Sequence, residues 1–80
     1  MKIPIIKKTV ENFTLEELRK AEELMLNEEV PQIEIEGVDE GEQLTHCMAA
    51  IWIKEEMEKT GISQQLATRN YIDRVRKSIT

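Results

Sequence analysis

Apolar positions recur along the chain with changing period, and the changes mark the elements. Residues 2–8, KIPIIKK, alternate at Ile3 and Ile5, with Ile6 breaking the alternation. Pro4 has no backbone donor, which confines it to a strand start or edge, so a short extended segment is expected over about residues 2–7. Thr14 with Glu17 three residues later makes a capping box, and Phe13 and Leu18 hold the staple positions beside it. Leu15, Leu18, Ala21, Met25 and Leu26 then line one stripe at about 100° per residue, with Leu24 off it. This predicts a helix ending within Asn27–Pro31. In PQIEIEG, Ile33 and Ile35 alternate with Glu34 and Glu36, the pattern of a half-buried strand over 32–36 with an acidic outer face. Pairing with residues 3–6 would bring Lys2, Lys7 and Lys8 near those glutamates.

The most informative stretch lies between Asp39 and Gly61. Asp39 is placed as N-cap with Glu42 at the third helical position, and Gly61 suits the left-handed residue that closes a helix. Within the span Leu44, Cys47, Met48, Ile51 and Trp52 make one face. His46, Ala49, Ala50, Ile53 and Met57 make the opposite one. A helix apolar all round is buried all round. Two other helices and two short strands cannot easily enclose it in one small protomer. One face is therefore expected to join the core. The other, assigned to His46, Ala49, Ala50, Ile53 and Met57, is expected to form a subunit interface, although the two faces could be exchanged. A last helix opens at Ser63 and runs to about Ser78. Ala67, Tyr71, Ile72, Val75 and Ile79 form its stripe, and Arg69, Asn70, Asp73, Arg74, Arg76 and Lys77 form its polar side.

The pattern thus predicts a mainly α single domain over residues 1–80. Three helices are arranged around a central buried second helix, with one or two short edge strands, or an α+β fold if those strands pair. With 80 residues and three aromatics (Phe13, Trp52, Tyr71), the core needs an additional staple. The single cysteine, Cys47, excludes an intrachain disulfide and a multi-cysteine metal site. A homodimer is the expected staple. The longest apolar run, Cys47–Ile53, is seven residues, far short of the roughly 18 that span a bilayer. MKIPIIKK lacks the apolar core of a secretory leader, and a lone thiol fits a reducing compartment. A cytoplasmic protein with no membrane partner is expected.

Charge is unevenly placed. The net charge is −5, yet residues 1–10 carry three lysines and no acid, residues 11–42 carry 12 acids against two bases, and residues 63–80 carry four bases against one acid. Basic ends flanking an acidic middle are read as docking onto it, ahead of an anionic partner at the last helix. A nucleic-acid domain usually has a net basic balance.

Four constellations have residue types that could carry chemistry. Glu42 and His46 stand four apart on a helix, a spacing that can hold a divalent metal. A zinc site needs three or four ligands, Asp39 and Glu42 already serve the helix start, and Cys47 points about 100° away from His46. They are weak metal candidates, and no cofactor is expected. Cys47 as a nucleophile with His46 as base fails because adjacent helical side chains diverge, and an apolar setting makes the thiol a small hydrophobe. The paired carboxylates Glu16–Glu17, Glu22–Glu23, Glu28–Glu29 and Glu55–Glu56 read as solvated helix surface. Residues 55–77 resemble a helix-turn-helix, with Gln64, Gln65, Arg69 and Asn70 as base or phosphate readers. Met57 precedes the turn where a small residue is favoured. The basic residues Arg74, Arg76 and Lys77 also lie at the wrong end of the helix.

Residues 34–53, EIEGVDEGEQLTHCMAAIWI, with the opening KIPIIKK and the closing YIDRVRKSI, resemble a family of small bacterial proteins of unknown function over nearly the whole length. The resemblance implies a compact stand-alone protein and carries no activity, ligand or catalytic residue. The resulting expectation is a non-enzymatic cytoplasmic interaction or scaffold protein acting as a homo-oligomer, with room for an unknown protein partner and with no catalytic or cofactor-binding residues. The alternative is a nucleic-acid-binding regulator using residues 55–77, with Arg69, Arg74, Arg76 and Lys77 as candidate anion-binding residues.

Overall fold

The computed structural model describes residues 1–79 and consists of α1 (Ile3–Asn12), α2 (Leu15–Leu26), α3 (Glu40–Thr60) and α4 (Gln64–Ile79). The molecule is mainly helical, and no strand occurs among the described residues. α1, α2 and α4 each pack along α3 and scarcely touch one another. The helix expected at the centre is there, but as the third of four.

The extra helix is α1, where an extended segment was expected. Pro4 stands in its first turn, where a missing N–H is one of the unpaired donors anyway and the fixed φ is already helical. Its amides close early, Ile5 and Ile6 N–H both donating to the Lys2 carbonyl at 3.1 Å. Ile6, Thr9 and Val10 make the buried face, a helical spacing that outweighs the two-residue alternation of Ile3 and Ile5. Thr9 is tolerated there because its hydroxyl donates to the Ile5 carbonyl at 2.8 Å.

The 32–36 segment keeps its inward alternation, with Ile35 buried and Ile33 half-buried. It has no strand to pair with, because its expected partner is α1. The charge pairing survives the change of element: Lys8 Nζ lies 4.0 Å from Glu36 Oε2. Gly37 seats this strap against α3. A Cβ there would stand 2.7 Å from the Gln43 backbone nitrogen.

The helix ends follow the local signals. Thr14 and Glu17 exchange both capping-box bonds, Glu17 N–H to Thr14 Oγ1 at 3.1 Å and Thr14 N–H to Glu17 Oε1 at 2.9 Å. Asp39 Oδ1 accepts from Glu42 N–H at 2.8 Å, and Ser63 Oγ from Leu66 N–H at 3.2 Å. Gly61, at φ 72°, closes α3. α2 ends in a Schellman pair, Glu28 N–H to Met25 O and Glu29 N–H to Leu24 O. The left-handed residue is Glu28, at φ 61°, where glycine is usual.

The position of α1 also overturns the assignment of faces on α3. Lys2 bonds His46 and the Val10 carbonyl receives Lys54 Nζ, so α1 runs parallel to α3 along the side that was assigned to an interface. His46, Ala49, Ala50 and Ile53 are fully buried inside one protomer, and Met57 is half-buried. A ten-residue helix covers what an edge strand could not. α2 covers Cys47 and Ile51, which are also buried. α4 covers the far end, where Tyr71 meets Trp52 with ring centroids 5.7 Å apart.

Two substitutions in the 27–38 connection should act in opposite directions in urea unfolding. Gly37→Ala forces a methyl into the Gln43 backbone and is expected to cost about 1–3 kcal/mol. Glu28→Gly relieves a left-handed L-residue and is expected to add about 0.5–1 kcal/mol, after allowing for glycine's looser unfolded state.

Candidate functional site

The residues first suspected of chemistry are structural. His46 projects from α3 into the junction of α1 and the strap, fully buried. Its Nδ1–H donates to the Glu36 carbonyl at 2.7 Å, and its Nε2 accepts from the Lys2 backbone N–H at 2.9 Å. Both ring nitrogens are thereby committed, in the neutral tautomer that can give one bond and take another. Glu42, one turn earlier, accepts from Val38 N–H at 3.0 Å through Oε1, and its Oε2 lies 3.6 Å from the Met1 ammonium. The Val38 bond holds its carboxyl below the usual carboxylate range, with the Met1 ammonium and Lys2 adding to the effect. The two weak metal candidates therefore tie the first residues, the strap and α3 together, and their lone pairs face backbone and ammonium groups. No group of three or more His, Cys, Asp or Glu placed to hold a metal occurs among the described residues.

Cys47 points the other way, into the α2 interface. Its thiol is fully buried, donates to the Leu18 carbonyl at 3.2 Å, and is pushed up to about 11 by burial. At neutral pH it is a packed thiol and not a nucleophile.

The candidate anion-binding residues share the polar side of α4. At 100° per residue, Arg69 and Arg76 share one line and Arg74 and Lys77 another, with Asp73 between them. The Arg74 guanidinium lies 6.0 Å from the centroid of the Trp52 ring, within cation–π range. Helix, turn and helix are all present between residues 55 and 77, with Asp73 interrupting the basic side of the second helix.

What stands out on the surface is apolar. Leu26, Val30, Val38 and Met48 are 61, 88, 76 and 48% exposed. Leu26 and Val30 flank an open groove of about 430 Å³ between the end of α2 and the first turns of α3, lined also by Met25, Pro31 and Leu44. A second depression of about 260 Å³ continues it along the strap, sharing Met25, Val30 and Pro31 and reaching Ile33 and Ile35. Met48 lies one turn beyond Leu44 on α3. The charged residues lining the two depressions are Glu28, Glu29, Glu34 and Glu40. No lysine or arginine occurs anywhere from residue 21 to residue 53.

Periodicity alone missed this site. The helical period puts Leu26 on the buried stripe of its helix, and Val30 and Val38 lie in connecting turns without a period. A signal was available in the long run of residues free of basic side chains, with a valine between paired glutamates and a proline.

The chain belongs to a family of unknown function, DUF6952, whose model matches residues 1–80. No curated protein and no solved structure matches the chain significantly.

The structural role of His46 gives a clear expectation. His46→Ala should cost about 2–4 kcal/mol in chemical denaturation, because it leaves a buried donor and acceptor unpaired and opens a cavity. A surface or ligand histidine would change stability by less than about 0.5 kcal/mol. Cys47 should resist alkylation at neutral pH. Its rate in the folded protein is expected to be at least about a thousandfold below that of the unfolded chain, since only opened molecules react. Comparable rates in the two states would contradict the buried placement.

Proposed function

We propose that this protein is a non-enzymatic interaction protein that docks a partner on the groove between α2 and the start of α3. The observation that carries the reading is the gathering of exposed Leu26 and Val30 at one groove. Large side chains on a small monomeric domain are normally scattered, and a rimmed apolar patch marks a contact surface. The half-buried methionine in the groove, Met25, supports it, since a flexible thioether adapts to another surface. A cytoplasmic setting is part of the proposal, from the reduced, buried Cys47. No helix among the described residues is long and apolar enough to cross a membrane.

Self-association through α3 is not carried into this reading. Its premise was a face of α3 left uncovered, and that face is packed under α1. The nucleic-acid alternative is not carried into this reading either, since Asp73 interrupts the basic side of α4 and Arg74 lies against the Trp52 ring.

The test is a photo-reactive benzoyl-phenylalanine at Val30, compared with the same residue at Arg69, in cells of the native host. A discrete adduct from position 30, lost when Leu26→Lys is added, is expected, with none from position 69. Adducts of equal strength from both positions, or from neither, would overturn the reading. Val30 and Leu26 are exposed, so the substituted proteins should unfold within about 0.5 kcal/mol of wild type.

A further inference from the structure

We infer that the occupant of this groove is a cationic amphipathic segment of another protein, most simply a short helix bearing Lys or Arg beside an apolar stripe. The inference rests on the docking reading above and adds the chemistry of the partner.

The argument is one of complementarity. The apolar lining, from Met25, Leu26, Val30 and Leu44, would take the apolar stripe. The rim is wholly anionic, with Glu28, Glu29 and Glu40 around the larger depression and Glu34 beside the smaller. Among the described residues the salt bridges join Met1 to Glu42, Lys8 to Glu36 and Arg19 to Glu55, and none of them involves these rim carboxylates. A neutral apolar segment would leave the rim's mutual repulsion in place. An anionic segment, or a phosphate backbone, would add to that repulsion. A segment with cations flanking its apolar residues relieves it and gains attraction at long range. The helix-in-groove mode reads such partners through apolar anchors three and four residues apart.

The chain's own basic helices fit the groove poorly as a second copy. α4 turns its apolar residues Ala67 and Tyr71 onto α3, and among its described side chains Leu66 is the large hydrophobic left exposed. α1 likewise buries Ile6 and Val10, leaving Ile3 beside its lysines. Each offers charge with too little apolar surface. The backbone at the rim points the same way: Glu28 occupies a left-handed position at φ 61°, where glycine would be less strained, and so holds a carboxylate at the groove's edge.

The probe is a synthetic peptide of about 14 residues, close to the shortest length that forms a helix alone, with leucines at helical spacing and lysines elsewhere. Two companions replace its leucines by serine or its lysines by glutamate. Binding of the full-length chain is followed by calorimetry over a salt series. The lysine–leucine peptide is expected to bind at least about tenfold tighter than either companion. Leu26→Lys with Val30→Lys should weaken it about tenfold or more, Glu28→Lys with Glu29→Lys should flatten its salt dependence, and Leu66→Lys on α4 should leave it within about twofold.

Equal binding of the serine peptide, or equal loss in Leu66→Lys, would reduce the attraction to general charge and overturn the proposal. Binding of the glutamate peptide that depends on Leu26 and Val30 would keep the docking surface and overturn the partner's chemistry. A wild-type dimer in light scattering that Leu26→Lys with Val30→Lys makes monomeric would assign the groove to a second copy, again overturning it. Absence of binding to any of the three would overturn the proposal together with the docking reading.

Discussion

The structure depends on hiding the circumference of α3. This helix carries its apolar residues on more than one side, so a single neighbouring element cannot take it out of water. Three helices surround it, and each does so with an apolar face plus a polar tie. α1 buries Ile6 and Val10 and receives Lys54 on the Val10 carbonyl near its C-terminal end, where a cation also suits the helix dipole. α2 buries Leu18 and Ala21, takes the Cys47 thiol on its Leu18 carbonyl and pairs Arg19 with Glu55 at 2.6 Å. α4 brings Ala67 and Tyr71 to the same rod. Because the three scarcely contact one another, the stability of each is its contact with α3.

That arrangement explains why the polar residues that look chemical are not. His46 is the hydrogen-bonded joint between the start of α1, the strap and α3, and Cys47 is a packed thiol between α3 and α2. Both are consumed by enclosing the central helix. Side chains left over from that task are the ones free to meet other molecules. At the open end of the α2–α3 pair the connection from residue 27 to residue 38 is too irregular to cover everything, and Leu26 and Val30 remain in solvent beside four carboxylates.

The parts legible in the sequence were those governed by contacts a few residues long. Thr14 and Glu17, Asp39 and Glu42, Ser63, and Gly61 are caps whose donors and acceptors lie within one turn, and each holds the position its type suggests. The inward alternation of Ile33 and Ile35 was legible for the same reason. Residues 2–7 were not, because Pro4 is equally at home at a strand edge and in the first turn of a helix. The four-residue spacing of Ile6 and Val10 was the deciding signal. That one ambiguity propagated: with a strand there, His46, Ala50 and Ile53 seem uncovered and demand a second subunit, whereas a helix covers them.

The sequence by itself determined the helix ends, the all-round apolar character of α3 and the acidic bias of the middle of the chain, because these depend on neighbours along the backbone or on composition. Only the tertiary structure decided which element shields which face of α3, that both nitrogens of His46 meet backbone groups from distant segments, and that Leu26 and Val30 share an acid-rimmed groove. Those outcomes depend on contacts between residues far apart in the chain, where burial is competed for by every apolar face at once and no local pattern names the winner.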